Sequence, residues 1–404
     1  MASKLGARFD KLSIAAGISN VGDGVMGAAF PLFVASLTRD PVLVAAATFV
    51  SRLPWFLFAL LSGALVDRLD RKKVMVVTDV LRAIGIGILA LGVWTGDAGL
   101  IAVYVIGFGL GVAETFFDTS AEALTPNLVD DSQLPQANGR LQALEFVGGS
   151  LAGPPIGAFL FALAAALPFV VDSFSFLVAA LLIAVIPGGF KTERSSESTI
   201  LEDIKEGIGW LWRQRVLRSL VVMAGVINLI AFGVLAIFVL YAQDILGVDE
   251  VGYGLLISAI GLGGLVGAFV SPRIVRWIGP GNTLRSVLAF SGILSLAFVI
   301  VSSPLVAGAL MLFFGFVITG WNVVSVSLRQ SLTPDGLRAR VAGSARLLAW
   351  GTQPLGALIG GFLGALSLRA PFLVGAIVWL GMLIVTRGIT SNENIEAARR
   401  SAPV

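Results

Sequence analysis

Long apolar stretches separated by short polar breaks dominate this chain, and they are the first thing that constrains it. Each runs well beyond the roughly 10-residue alternating segments of a membrane β-barrel. Each also approaches the roughly 20 residues that a helix needs to cross a bilayer, where only helices and closed barrels satisfy the backbone. The pattern predicts spans near 12–37, 42–66, 74–95, 99–123, 136–162 and 166–187, then 217–243, 251–272, 283–302, 304–328, 338–365 and 369–387. The expected fold class is an all-α integral membrane protein of about twelve helices. The breaks differ in charge. Lys4, Arg8 and Lys11, the cluster at 68–73, the stretch from Lys191 to Arg218, Arg273, Arg276 and Arg285, Arg329, Arg338 and Arg340, and Arg387, Arg399 and Arg400 fall on one side of this topology. Only Arg39 and Arg369 fall on the other. Lys and Arg collect in cytoplasmic loops, so both termini are expected inside.

Composition sharpens the class. Hydrophobic residues make up 56% and charged residues 13% of the 404, against about 25% charged in a soluble domain. Cysteine and histidine are both absent, which removes disulfides, thiol nucleophiles, haem and the commonest zinc ligands. With no nucleotide loop and no metal-ligand cluster in the sequence, no enzyme activity and no cofactor is expected. The net charge of +3 belongs to loop cations facing lipid headgroups, so nucleic acid is not an expected partner. Met1 to Lys11 is short and basic and reads as a cytoplasmic tail rather than a signal peptide.

Pro187, Gly188, Gly189 and the polar run KTERSSES interrupt the apolar pattern and divide the chain into 1–187, a linker at 188–216, and 217–404. Inside the linker, Ile200, Ile204, Ile208 and Leu211 recur at helical spacing opposite Glu202, Asp203, Lys205 and Glu206. This amphipathic helix is expected either to lie along the inner membrane surface or simply to tether the halves. The halves echo each other. Leu124, Thr125 and Pro126 answer Leu332, Thr333 and Pro334, while Pro155 and Gly157 answer Pro354 and Gly356. Gly63 to Asp67 has a weaker echo at Gly267 to Ser271.

At Gly63 to Val74, GALVDRLDRKKV, an apolar run meets an aspartate and breaks into four cations. Gly63, Asp67, Arg68, Arg71 and Lys72 resemble the loop between the second and third helices of major facilitator superfamily transporters, with Asp70 where that family usually has a second glycine. The resemblance extends over essentially the whole chain and implies two six-helix bundles. A second signature, at Gly149, Gly153, Pro154, Gly157 and Ala158, is similar to the glycine–proline pattern of the family's proton-coupled antiporters. There it is thought to seal the halves on one side; as bare chemistry it also serves close helix packing. Together with GDG in the first span, VTDVLRA in the third and the late RARVAGSARLLAW, these stretches resemble the macrolide-efflux and enterobactin-exporter branch of drug:proton antiporters. Gating is accordingly expected at Gly63, Asp67, Arg68, Arg71, Gly149, Gly153, Pro154 and Gly157, with Asp67 meeting the eleventh span.

Charges inside spans cost about 2.5–3.5 kcal/mol each at mid-membrane, so they must face protein or water. Asp23 lies about 18 Å along the first span, between Gly22 and Gly24. Glu114, Asp118 and Glu122 share one face of the fourth. Arg52, Asp79, Arg82, Arg140, Glu145 and Asp172 complete the set. Structural ion pairs are expected at Asp79, Arg82, Arg140 and Glu122. Proton coupling and substrate charge are expected at Asp23 and Glu114, with Asp118, Glu145 and Arg52 as further candidates. The fourth span lacks the arginine that many proton-coupled members of the family carry there, so either proton coupling is arranged differently here or Arg52, Arg82 or Arg140 substitutes for it. The second half holds no deep carboxylate; its polar positions Asn228, Trp321, Asn322 and Gln353, with Phe232 among many phenylalanines, are expected to line a substrate cavity. This asymmetry, together with the resemblance, implies proton-coupled efflux of amphiphilic, cationic drugs by alternating access, the chain working as a monomer whose partners are small substrates, protons and membrane lipids. A dedicated siderophore or metabolite exporter and a lipid flippase stand as alternatives.

Overall fold

The computed structural model describes residues 5–66, 68–190, 200–334 and 337–400, and every regular element among them is helical. In chain order these are α1 (Ala7–Leu37), α2 (Pro41–Val66), α3 (Arg71–Thr95), α4 (Leu100–Leu124), α5 (Leu134–Glu145), α6 (Gly153–Leu163), α7 (Leu167–Ala184) and α8 (Ile200–Arg213). There follow α9 (Arg215–Leu235), α10 (Phe238–Asp244), α11 (Glu250–Ile278), α12 (Pro280–Ile300), α13 (Pro304–Leu332), α14 (Arg338–Trp350), α15 (Gln353–Leu366), α16 (Ala370–Thr386) and α17 (Asn392–Arg400).

Among the described residues, 10 helical stretches are long and apolar enough to cross a membrane, and Ala370–Thr386 is a shorter apolar helix. The expected span 338–365 is broken between α14 and α15 at Gly351 and Thr352, just ahead of Pro354, whose ring cannot continue a helix through its own missing N–H. Pro154 and Pro155 act likewise between α5 and α6. There Phe146–Ala152 widens into a π-helical turn, and the N–H of Gly153 reaches back to the carbonyl of Gly148. Leu91, Trp94, Ile101, Val105 and Leu305 are among the large apolar side chains that point outward, a surface that suits acyl chains and not water.

The chain forms two compact units. Unit 1 comprises Met1–Arg39, Val50–Glu197 and Asp249–Ser258; unit 2 comprises Asp40–Phe49, Ser198–Val248 and Ala259–Val404. The division differs from the one read from sequence in three places: the first turns of α2 belong to unit 2, those of α11 to unit 1, and α8 goes with unit 2.

Each unit repeats the same pairings. In unit 1, α1 packs on α6, and α3 packs on α4 and α7; in unit 2, α9 packs on α15, and α12 packs on α13 and α16. Glycines make these contacts possible. A methyl group at Gly157 would strike the carbonyl of Val25, and one at Gly356 or Gly360 would strike the carbonyl of Leu229 or Gly233. With no hydrophobic drive between helices in lipid, such backbone contact is a main source of packing energy. Cations close the helix ends in parallel fashion. Lys72 and Lys11 donate to Ile186 O and Val185 O just past α7, and Arg285 donates to Arg387 O just past α16.

The amphipathic helix α8 packs on α14 through Gly207, with Leu211 fully buried in the unit 2 core and Arg340 paired with Glu206. At Leu211 the apolar stripe thus serves protein packing. Asn392 fastens α17 to the α11–α12 turn, accepting from Gly281 N at 2.7 Å and donating to Ile278 O at 3.1 Å.

Candidate functional site

The acidic site of unit 1 begins with the two glycines that flank Asp23. Gly22 lies against Asp172 and Ser175 of α7, and Gly24 lies against Gly148 and Gly149 of the π turn. Packed on both of those sides, α1 leaves Asp23 on a third, where it is exposed although Gly22 and Gly24 are buried. Ser19, one turn earlier and itself buried, is a polar neighbour that acts on the Asp23 carboxylate. Asp23 also senses the charges of Arg82, Glu114 and Arg52.

Glu114 comes to Arg52 because Gly111 lets α4 close on α2. A methyl there would strike Ser51 O and crowd the ring of Pro54. One turn on, Glu114 Oε1 lies 3.7 Å from Arg52 Nη1, both side chains about 40% exposed (41% and 39%). Farther along the same seam Ser62 and Thr119 share a hydrogen bond of 3.0 Å. A pair this open is worth about 0–1 kcal/mol, so it can be exchanged for another partner at little cost.

Behind these groups sits a buried cation. Arg82 is 3% exposed and lies over the rings of Phe117 and Phe176 at 5.0 and 5.1 Å, an arrangement that stabilises a guanidinium away from water. Its Nη1 is 3.8 Å from Asp79 Oδ1, too far for a hydrogen bond, and neither Asp79 oxygen has a hydrogen-bond partner among the described residues. The Arg82 charge is felt by Asp23, Glu114, Asp79 and Asp118. The half-buried Asp118 follows Glu114 by one turn and interacts with it.

Other expected residues fall elsewhere. Glu145 is exposed and interacts with Glu114 and Glu122. Arg140 turns to Asp10 at 2.7 Å and to the ring of Phe9, so its ion pair is with α1. Asp67 lies outside the described residues. Asp70, at the position of the family's second glycine, N-caps α3 by accepting from Lys72 N at 3.0 Å and Lys73 N at 3.3 Å. Arg71 donates to Ala123 O and Asn127 Oδ1, both at 2.8 Å, and so fixes the end of α4; Arg68 is exposed and Gly63 half-buried. Gly153, Pro154 and Gly157 are buried, and the two glycines pack on α1 together with the half-buried Gly149.

In unit 2, Gln353 donates to Asn228 Oδ1 at 2.9 Å, joining α15 to α9. Phe232 is half-buried and Asn322 exposed. Trp321, expected in a cavity wall, is 4% exposed within the unit 2 core, where its ring contributes packing. The sequence reading gave no role to Ser19 and none to Asp172 with Ser175. A short polar residue one turn before Asp23 was the available signal for the first; nothing in the sequence ties α7 to Gly22.

Residues 12–352 match the Major Facilitator Superfamily. The chain belongs to that family. The major facilitator resemblance read from the Gly63 loop and the glycine–proline helix is met, and with it a multi-pass membrane transporter rather than an enzyme. Among curated proteins, the multidrug efflux pump Tap of Mycolicibacterium fortuitum is 28% identical over 375 residues, 88% of this chain and 89% of the relative. The enterobactin exporter EntS of Shigella boydii serotype 4 (strain Sb227) is 25% identical over 393 residues, 93% of this chain and 89% of the relative. Among solved structures, a bacterial homologue of the iron transporter ferroportin in an inward-facing state superposes with a TM-score of 0.78 at 19% identity, covering 96% of this chain and 100% of that one. The nucleoside transporter NupG gives 0.73 at 10% identity, covering 98% and 100%. At those identities the structural likeness speaks for the major facilitator fold alone.

Proposed function

We propose that this major facilitator protein exports amphiphilic, cationic compounds in exchange for protons by alternating access. One observation carries the reading: Asp23 stands exposed at mid-span among Glu114, Arg52 and Arg82. In unit 1 the carboxylates Asp23, Asp79, Glu114, Asp118 and Asp172 outnumber the guanidinium groups of Arg52 and Arg82 within the spans. The surplus must be balanced by protons or by a cation, because uncompensated charge in a membrane interior is costly. In unit 2, by contrast, the sequence has no Asp or Glu between Glu250 and Asp335. Its phenylalanines, such as Phe313 stacked on Phe316 at 5.9 Å, suit the apolar part of a cargo.

In this reading a cation displaces the proton of Asp23, Glu114 leaves Arg52 to meet the cation, and a returning proton on Asp23 releases it and lets Glu114 go back to Arg52. Arg82 takes the part of the arginine that the fourth span lacks, its charge balancing part of the negative charge of the carboxylates around it. Asp118 and Glu145 stand nearer the start of a proton path. Gly63, Asp67, Arg68 and Arg71 with Gly149, Gly153, Pro154 and Gly157 form the gating elements. Asn228 with Gln353, Phe232 and Asn322 contribute to the cargo surface. The protein works as a monomer in a bacterial cytoplasmic membrane, both termini inside, in contact with lipid and without a cofactor.

Similarity over nearly the whole chain to enterobactin exporters supports a second reading, a dedicated exporter of one secreted metabolite. The surplus of carboxylates favours cationic cargo. Thermal stabilisation of the purified protein across a panel of cationic dyes, antibiotics and siderophores separates the two. Broad stabilisation by lipophilic cations supports the first; stabilisation by one siderophore alone supports the second.

A further inference from the structure

Asp172 is the carboxylate that this scheme does not use. It is 1% exposed, in the second turn of α7, and the hydrogen-bond donor to its Oδ1 among the described residues is Ser175, at 3.2 Å. Both side chains press on the backbone of α1 at Gly22, so closely that a methyl at Gly22 would strike Asp172 Oδ1 and Ser175 Oγ. The residue after Gly22 is Asp23. Asp172 therefore sits behind α1 where Asp23 sits in front, with one glycine between them and no side chain to screen their charges. The charged groups that act on Asp172 are Asp23 on α1 and Arg82 and Asp79 on α3. Two acids sharing one buried guanidinium across a bare stretch of backbone titrate as a pair, each sensing whether the other is charged.

We propose that Asp172 is a positioning residue for the proton step: held by Ser175 against Gly22, it sets the pH at which Asp23 exchanges its proton. The proposal rests on the proton-exchange reading above, and goes beyond it in naming a second acid that touches neither cargo nor the exposed face of α1.

The test compares reconstituted wild type with Asp172→Asn, Asp23→Asn and the double variant. The first readout is an infrared difference titration, without cargo, of the protonated-carboxyl band that Asp23→Asn removes. Asparagine never places a negative charge behind α1, so Asp23 gives up its proton more readily in Asp172→Asn. Its midpoint is expected to move toward acid by about one pH unit, the lower end of what a neighbouring charge produces. The second readout is the pH profile of ethidium transport, expected to move the same way in Asp172→Asn and to gain nothing from Asp172→Asn once Asp23→Asn is present. Should Asp172→Asn fail to fold, Ser175→Ala, which removes only the donor, should give a smaller displacement of the band in the same direction. An Asp23 midpoint that does not move in the folded variant overturns the inference, whatever transport does. A midpoint that moves while the wild type shows no proton-driven ethidium transport sustains the link between the two acids and overturns the exchange reading instead.

Discussion

The hydroxyl of Ser258 donates to the carbonyl oxygen of Leu151 at 2.8 Å. Leu151 needs that donor because the residue four positions on is Pro155, which has no N–H. The same stretch of α11 lies against α6 at Gly254, where a methyl would crowd Pro154 O at 2.8 Å and Pro155 Cα at 3.0 Å. The glycine–proline pattern thus makes an acceptor as well as a smooth face, and α11 fills it within unit 1. Ser258→Ala should cost about 1 kcal/mol and lower the melting temperature, while Ser258→Thr, which restores a hydroxyl, should recover most of the loss. Equal melting of wild type and Ser258→Ala would mean that the bond adds nothing.

The repeat makes a matched prediction. Gly157 against Val25 O in unit 1 and Gly356 against Leu229 O in unit 2 occupy equivalent contacts. Gly157→Ala and Gly356→Ala should each destabilise by about 1–3 kcal/mol, the usual cost of overpacking, and their effects should add. Chemical unfolding in mild detergent measures both. A large effect at one site and none at the other would show that the halves do not share this packing rule.

Much of this was legible in the sequence, and the gaps have physical causes. Asp23 between two glycines and the Glu114, Asp118, Glu122 face needed only helical geometry. The breaks at Pro154 and Pro354 follow from a missing N–H. What could not be read is which way each apolar helix turns. In a helix that is hydrophobic all round, as most of these are, the pattern does not single out a buried face. That is why Trp321 looked like a cavity residue and is core. It is also why Arg52 meeting Glu114, and Asp172 lying against α1, depend on close approaches at Gly111 and Gly22 that only tertiary structure reveals. Asp70 looked like a departure from the family loop, yet an aspartate ahead of a basic helix start is a good N-cap.

Arg52 and Glu114 offer a way to separate cargo binding from folding. Because the pair is half-exposed, Arg52→Gln should change stability by less than about 1 kcal/mol. It should nevertheless tighten binding of a lipophilic cation, since Glu114 no longer has a competing partner. Fluorescence titration with ethidium checks this. Weaker binding in Arg52→Gln would place Arg52 on the cargo itself.

Topology follows from the cation bias. A cysteine at Arg68, which is exposed, should react with an impermeant maleimide only after the membrane is opened, whereas one at Asp97 should react in intact cells. Labelling of the Arg68 position in intact cells would invert the assignment.

The central claim is that Asp23 and Glu114 carry between them the proton and the positive charge of a cationic cargo. Its most direct test is ethidium uptake into inverted membrane vesicles carrying a pH gradient, in wild type, Asp23→Asn and Glu114→Gln, with binding of a neutral substrate measured alongside. Each neutral variant should lose gradient-driven uptake while keeping the fold and neutral-substrate binding. Full gradient-dependent uptake in both variants would contradict the account and move the coupling to Asp118 and Glu145.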